Sequence, residues 1–430
     1  MERLLQYVWK YRLYSEAELC TTDGNPITIL DPGVQNTDSG PDFFNAKVRI
    51  GGTIWAGNIE IHPKASDWYR HHHDLNPAYD SVILHIVQEN DSIIYRTNGE
   101  LITQAIIHVP SKIKDNMEWL LSKESLLPCA SRLHEIETLH LSAWMSALLT
   151  ERLERKTDDV FVRLANNTED WNEVFYITLT RNFGFGTNSD AFEWLAQSLP
   201  FKYIQKQKGS SIQIEALLFG QAGLLENEND DPYYELLQRE YRFLRKKYDL
   251  KPLESFLFKN LRNRPVNFPH IRLAQLAAIW INNDTGFSKI LESDQLEVLK
   301  DCFDVPLSSY WNTHYHFQYA SPEQKKSIGK NATFIVLINT VIPLLFAYGK
   351  KKQQHEYCVK ALQMLENIPP EQNSIIRNFA DAGLKAKNAY DSQALIQLRR
   401  EYCEKKKCLY CRIGFHLIKL HDDERKKRSY

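Results

Sequence analysis

Two stretches of this chain carry residues whose types and spacing suit chemistry. The first pairs Gly40-Pro41-Asp42 with Glu60-Ile61-His62. In an extended strand, residues two apart share a face, so Glu60 and His62 project together while Ile59 and Ile61 turn the other way. An aspartate at the start of the antiparallel neighbour would bring a second carboxylate beside Glu60. Two carboxylates and a third ligand suit a hard divalent cation such as Mg or Mn. Such a cation polarises a phosphoryl oxygen and lowers the pKa of a bound water. Asp42, Glu60 and His62 are therefore the catalytic candidates. The plainer reading of the same letters is a turn-capping aspartate and a solvated strand face.

Histidines thicken the cluster. Glu60, His62, the His71-His72-His73 run and His85 fall within 26 residues, and imidazoles beside a carboxylate fit Zn, Mn or Fe(II) better than Mg. Extended backbone would put His71 and His73 on one face, whereas a helix would make them diverge. His85 sits in the apolar run SVILHIV, where a hydrogen-bonded core histidine is the commoner case. Trp55 and Trp68 either wall this site or belong to the core.

The second stretch is Cys403-x4-Cys408-x2-Cys411 with His416 five residues on. Three thiolates and an imidazole can make a tetrahedral Zn site. The same spacing also suits an iron–sulfur cluster completed by a remote cysteine, Cys20 or Cys358. Reduced thiols at a helix end are the plainer reading. Elsewhere, Trp311-Asn312-Thr313-His314-Tyr315-His316 reads as a packed aromatic loop, and Phe183-Gly184-Phe185-Gly186 as a turn without the phosphate fingerprint. No Walker A loop, nucleophile elbow or H-E-x-x-H occurs.

The elements that must position these residues come in two styles. An amphipathic helix over about residues 2–15 precedes short strands. Asp23-Gly24-Asn25-Pro26 and Asp31-Pro32-Gly33 punctuate them. AKVRI alternates apolar Ala46, Val48 and Ile50 with Lys47 and Arg49, and Gly51-Gly52 turns it into TIWAGNIEIH, a hairpin. SDWYRHHHD reads as a short helix or turn capped by Ser66 or Asp67. SVILHIV is a strand buried on both faces, and SIIYRTN with LITQAIIHV a terminal hairpin. From about residue 111 the apolar period becomes helical, as in WMSALLTERLERKTDDVFVRLA, and no fixed-period repeat appears. The expected fold class is α+β, with a small mixed-sheet domain at 1–110, a large all-helical region at 111–400, and a cysteine-rich segment with a basic tail at 401–430.

Bulk composition agrees. At 430 residues, 43% hydrophobic and 25% charged, the chain is globular and longer than one ordinary core. The net charge of −1 hides an asymmetry, because residues 1–110 hold 8 Lys and Arg against 14 Asp and Glu. An acidic first domain suits a cation better than a polyanion, so nucleic acid binding would fall to the helical region or the basic tail. MERLLQYVWKYRL does not read as an export signal, and seven cysteines are too few for a disulfide scaffold. A reducing, cytoplasmic setting follows as an expectation. Residues 332–349 carry no charge and reach the lower limit for a bilayer span, yet Asn339 and Pro343 interrupt them, so a buried core helix is the favoured reading. The oligomeric state is not legible.

Helix–strand–strand–strand–helix–strand, with Pro41-Asp42 before one strand and Glu60-x-His62 on the next, resembles the core of the PD-(D/E)XK nuclease superfamily over the first quarter of the chain. That resemblance implies a restriction-endonuclease-like fold, Asp42 and Glu60 as metal ligands, and a metal-dependent phosphodiesterase or a degenerate relative. His62 occupies the position where the superfamily usually has lysine, and Lys64 would have to reach back past Pro63. Some nucleases of that superfamily tie their ends with a cysteine cluster, which singles out Cys20. The alternative is a non-catalytic binding or scaffold protein. Over most of its length the chain also resembles an uncharacterised family that carries only a domain-of-unknown-function label. The resemblance rests on GPDFFNAKVRI, WAGNIEIHPKASDW, LHIV, IEALLFGQAGLL, RPVNFPHIRLAQLA, the PLLFAYG block and YCEKKKCLYCRIG.

Overall fold

The computed structural model describes residues 2–14, 19–36, 38–122, 125–261, 263–282, 286–293 and 295–419. The basic run 424–428, expected as part of a polyanion-binding tail, lies outside these residues. The chain divides into two compact units, Met1–Leu141 with Glu401–Tyr430, and Ser142–Arg400. The first boundary thus falls about thirty residues beyond the sequence-based one at 110. Helix Ser111–Ser122 packs on helix Arg412–Lys419, which draws both the 111–141 segment and the cysteine-rich segment into the first unit.

That unit is α+β. Helix α1 (Glu2–Lys10) is followed by β1 (Ile27–Asp31), β2 (Val34–Gln35), β3 (Phe43–Ile50), β4 (Thr53–Lys64), helix α2 (Asp67–Arg70), β5 (Val82–Glu89), β6 (Gln104–Ile106) and α3 (Ser111–Ser122). The sheet runs β1-β3-β4-β5-β6, with β2 also on β3. Pairing is antiparallel from β1 to β4 and parallel from β4 to β6, so the sheet is mixed. The two-residue loop Gly51-Gly52 closes the β3–β4 hairpin with Ile50 opposite Thr53. Gly33, at φ +87°, is required because a Cβ there would lie 2.6 Å from the Phe44 carbonyl.

The terminal hairpin expected after residue 91 is present in short form, with an antiparallel bridge from Tyr95 to Leu101 and backbone bonds from the Arg96 N–H to Glu100 and the Ile102 N–H to Ile94. Its second arm continues into β6, which pairs parallel with β5. The Arg96 guanidinium donates to the Val82 carbonyl at 2.9 Å and draws the turn onto β5.

Alternation along the strands sets the faces. Phe43, Ala46, Val48, Ile59, Ile61, Leu84 and Ile86 are buried with Leu4, Leu5, Val8 and Trp9 of α1. Each fully buried aliphatic side chain contributes about 1.5–3 kcal/mol. A smaller cluster gathers Trp68, Tyr79, Val82, Ile94 and Ile102. Glu60, His62 and His85 are also buried, at 5%, 1% and 0% exposure, although all three are polar. Burial of such groups is unfavourable unless they are partnered.

The second unit is helical. It begins within α4 (Thr138–Asn166), continues through α5 (Trp171–Phe183), and includes Ser211–Gln221 packed on Pro232–Tyr248. A Cβ at Gly220 would lie 2.1 Å from the Tyr241 ring, so glycine lets those two helices approach. Lys330–Lys352 is the one helix among the described residues long and apolar enough to cross a bilayer, and 72% of its most apolar window is buried inside the protein. It contains a π-helical turn at Leu337–Val341.

Candidate metal centre

The hairpin and the parallel β4–β5 pairing bring the chemistry-bearing residues together. Phe43 lies opposite Ile59, which places Asp42 beside Glu60, and Glu60 is in register with His85. Asp42 and Glu60 interlock: the Asp42 N–H donates to Glu60 Oε2 at 3.0 Å, and Asp42 Oδ2 accepts from the Ile61 N–H at 3.0 Å. Gln6 of α1 donates to the other Asp42 oxygen at 2.8 Å. Glu60 Oε1 is left facing the imidazoles.

His71 and His73 reach the same point by a route the sequence reading missed. They lie neither in one strand nor in one helix. Helix α2 ends at Arg70, His72 adopts left-handed backbone (φ 59°, ψ 33°), and a tight turn follows over His73–Leu75. The kink at His72 turns both neighbours inward. His72 itself is exposed, so the run of three imidazoles supplies two. Ser66 precedes the helix without a side-chain capping bond, and Asp67 instead accepts from the Lys64 N–H.

The donor atoms of His62, His71 and His73 lie within 4.8 Å of one another, and this is the one such group of three or more among the described residues. Three separations define the shape: His62 Nε2 to His71 Nδ1 is 3.2 Å, His62 Nε2 to Glu60 Oε1 is 3.4 Å, and His73 Nε2 to Glu60 Oε1 is 3.3 Å. Each is close to the separation of about 3.3 Å between neighbouring ligands that bonds of about 2.0–2.1 Å to zinc require, while the 3.2 Å contact is also within hydrogen-bond range. By contrast His62 Nδ1 meets His85 Nε2 at 2.8 Å, an ordinary hydrogen bond. His85 therefore stands behind His62 and orients it, the role that outer partners of metal-bound imidazoles play.

Burial keeps the cluster uncharged. Burial, then the neighbouring Glu60, pushes the Asp42 carboxyl up to about 8, and burial likewise raises Glu60 to about 8. Burial, then His85, pulls His62 down to about 2, and burial pulls His85 to about 3. His73 is also lowered by burial. Without a cation the contacts from Glu60 to His62 and His73 thus join neutral partners, and they are not ion pairs. Tyr79 stacks on His73 with ring centroids 3.7 Å apart, and Trp68 meets His73 and His85 edge-on. Exposed His71 forms the solvent side.

Three expectations need correcting. Trp55 is 50% exposed at the far end of β4 and does not wall the site. Lys64 does not reach back, because its ammonium pairs with Glu89 at 3.0 Å near the surface. The premise that only extended backbone could bring His71 and His73 to one face gives way to the left-handed kink at His72.

The C-terminal candidates are not gathered. Cys403, Cys408, Cys411 and His416 form no group of three donor atoms within 4.8 Å among the described residues. Cys403 ends a π-helical turn, Cys408 begins the tight turn Cys408–Tyr410 with its thiol pushed up by burial, and Cys411 is buried. His416 stacks on His140 at 4.0 Å. Cys20 is exposed in the first unit, and Cys358 is buried in helix His355–Asn367 of the second. Trp311 is buried and donates to Glu215 at 2.9 Å, and the segment Phe183–Gly186 is a turn.

No curated protein and no solved structure matches the chain. A family profile does, over residues 2–374, which takes in the whole imidazole and carboxylate cluster. The chain therefore belongs to the family described as protein of unknown function (DUF2851).

Proposed function

We propose that the first unit is a metal-dependent hydrolase of the phosphodiesterase type, nuclease-like in its chemistry. The observation that carries this reading is the convergence of His62, His71 and His73, whose ligand atoms all lie within 4.8 Å of one another, with Glu60 Oε1 at 3.4 Å from His62 Nε2 and 3.3 Å from His73 Nε2. His62, His71 and His73 would hold the ion. Their imidazoles favour Zn or Mn over Mg. When bound, such a cation polarises a phosphoryl oxygen and acidifies a water.

The protein's own groups then have distinct tasks. His85 Nε2 takes the His62 Nδ1–H, so the lone pair of His62 Nε2 faces the centre. Asp42 fixes Glu60 through its backbone N–H, and Glu60 Oε1, beside the three imidazoles and outside the ligand set, would accept the proton of an attacking water. The order of α1, the antiparallel strands β1, β3 and β4 with the two-residue β2 at their edge, α2 and a strand parallel to β4 supports likeness to the PD-(D/E)XK core. In that reading His62 stands where the usual lysine would be and serves as a ligand.

The test is metal analysis of the purified chain combined with hydrolysis of bis(p-nitrophenyl) phosphate and of oligonucleotides, with Zn, Mn and Mg supplied in turn. Activity with a stoichiometric transition metal, lost in Glu60→Gln and His62→Ala, is the expected result. Absence of both bound metal and diester hydrolysis with all three ions overturns the proposal and leaves a docking role.

A further inference from the structure

The helical unit contains a cavity of about 260 Å³ whose lining is dominated by cations: Arg152, Arg155, Lys156, Arg163, Arg181 and Arg400. Arg163 and Arg181 are matched, since both pair with Glu193 and Arg181 also reaches Asp190. Arg155 and Lys156 are held differently. Arg155 donates to the side-chain carbonyl of Gln397 at 3.2 Å, and the Lys156 ammonium to Asn339 Oδ1 at 2.9 Å and the Ile338 carbonyl at 3.4 Å. Neutral acceptors position these charges without cancelling them. Exposed Arg400 adds a further cation at the rim. Asp159 on the lining and Glu371 near Lys156 are the acidic groups that oppose them.

Two further features mark this as a built site. The Thr178 hydroxyl, on a side chain 5% exposed, lines the cavity and has no hydrogen-bond partner within the protein. The backbone is also irregular at the wall. The π-helical turn Leu337–Val341 releases the Ile338 carbonyl toward Lys156 and the Asn339 carbonyl toward Asn182, and Arg400 lies on a second π turn, Leu398–Cys403. Such turns carry a stability cost that functional sites repay. Burial, then the Arg152 charge, holds Lys156 well below the ordinary lysine range, a deficit that an incoming anion removes.

We infer that this cavity binds a compact anion bearing several phosphate groups, with Arg155, Lys156 and Arg400 as its main contacts. Arginine's planar fork matches phosphate oxygens two at a time. Among the described residues no aromatic side chain lines the cavity, so the aromatic platforms on which single-stranded bases usually stack are missing from it. Recognition is therefore of the phosphate chain, and a single-stranded nucleic acid is the competing occupant.

The experiment is titration calorimetry on the full chain in chelator, with inorganic tripolyphosphate and a thymidine oligonucleotide as separate probes. Variants are Arg155→Gln and Arg400→Gln, both at exposed positions, with Arg242→Gln as the surface control and thermal melts to verify folding. Tripolyphosphate is expected to bind at one site per chain, at least tenfold more weakly in each cavity variant and unchanged in the control. It should bind equally to His62→Ala, which separates this site from the metal centre. No tripolyphosphate binding, a smaller loss in either cavity variant, or oligonucleotide binding that tripolyphosphate does not displace overturns the inference.

Discussion

The imidazole cluster of the first unit and the basic cavity of the second are polar surpluses of opposite sign, built by different means. In the first, ring nitrogens of His62, His71 and His73 converge beside a Glu60 carboxyl oxygen. In the second, ammonium and guanidinium donors converge and are held by amide and carbonyl oxygens. A sheet supplies the first through strand register, where a parallel pair sets Glu60 against His85. Helices supply the second through residues on neighbouring turns, Arg152, Arg155, Lys156, Asp159 and Arg163 along α4. On the proposed reading, each concentration of one kind of hydrogen-bonding capacity would be completed by an ion of the opposite sign.

The sharpest way to break the comparison is to remove one site and probe both. His62→Ala or His73→Ala should reduce bound Zn or Mn from near one per chain to below a tenth, measured by elemental analysis after dialysis. Loss of the metal should lower the melting temperature of the first unit, because a ligand at about a thousand times its Kd stabilises by about 4 kcal/mol. Arg155→Gln should leave metal content untouched. A His62→Ala chain that retains full metal occupancy would sink the assignment of the centre.

A smaller, pH-dependent effect follows from the shifted groups. In the metal-free chain the Asp42 and Glu60 carboxyls, ordinarily near 3.8 and 4.5, keep their protons up to about 8. Over that window the folded state binds more protons than the unfolded one, so stability falls as pH rises. His62 and His85, lowered from 6.5 to about 2 and 3, act in the opposite sense, and their contribution is lost as pH falls below 6.5. Between about pH 6.5 and 8 only the carboxyls remain, and the metal-free protein should lose up to about 1 kcal/mol per pH unit for each. Metal affinity should climb over the same range, about tenfold per pH unit for each proton released. Melting curves in chelator and in Zn at pH 6.5 and 8 measure both slopes. Glu60→Gln should flatten them, and a metal-free melting temperature that rises with pH contradicts the burial argument.

Much of the first site was legible because it is written in strand alternation. Glu60 and His62 share a face by period, and Gly51-Gly52 fixes the hairpin that brings Asp42 alongside. Two features were not legible. The inward turn of His71 and His73 depends on one left-handed residue, and nothing in HHH marks which of the three adopts it. The arrest of Lys64 on Glu89 depends on parallel register with β5, a long-range pairing that local sequence does not encode. The basic cavity was harder still. Three of its cations, Arg152, Arg155 and Lys156, lie along one helix as ERLERK, which reads as a solvated face. Only packing against the π turn at Leu337–Val341 converts that face into a lining. The cysteine spacing, the most motif-like signal in the chain, forms no group of three ligand atoms within 4.8 Å among the described residues.

The smallest expected effect tests how the first site is assembled. His72 holds a left-handed conformation that disfavours any residue with a Cβ and disfavours β-branched residues most. His72→Gly keeps the kink at no steric penalty, so stability should change by no more than about 1 kcal/mol and metal content should be unaltered. His72→Val should destabilise the first unit by about 1–2 kcal/mol, a fall of roughly 4 °C in melting temperature. It should also weaken metal binding, because His71 and His73 lose the kink that converges them. If His72→Val binds metal as tightly as the parent chain, the left-handed residue is incidental, and the convergence of its neighbours must be imposed by Trp68 and Tyr79, which pack against His73.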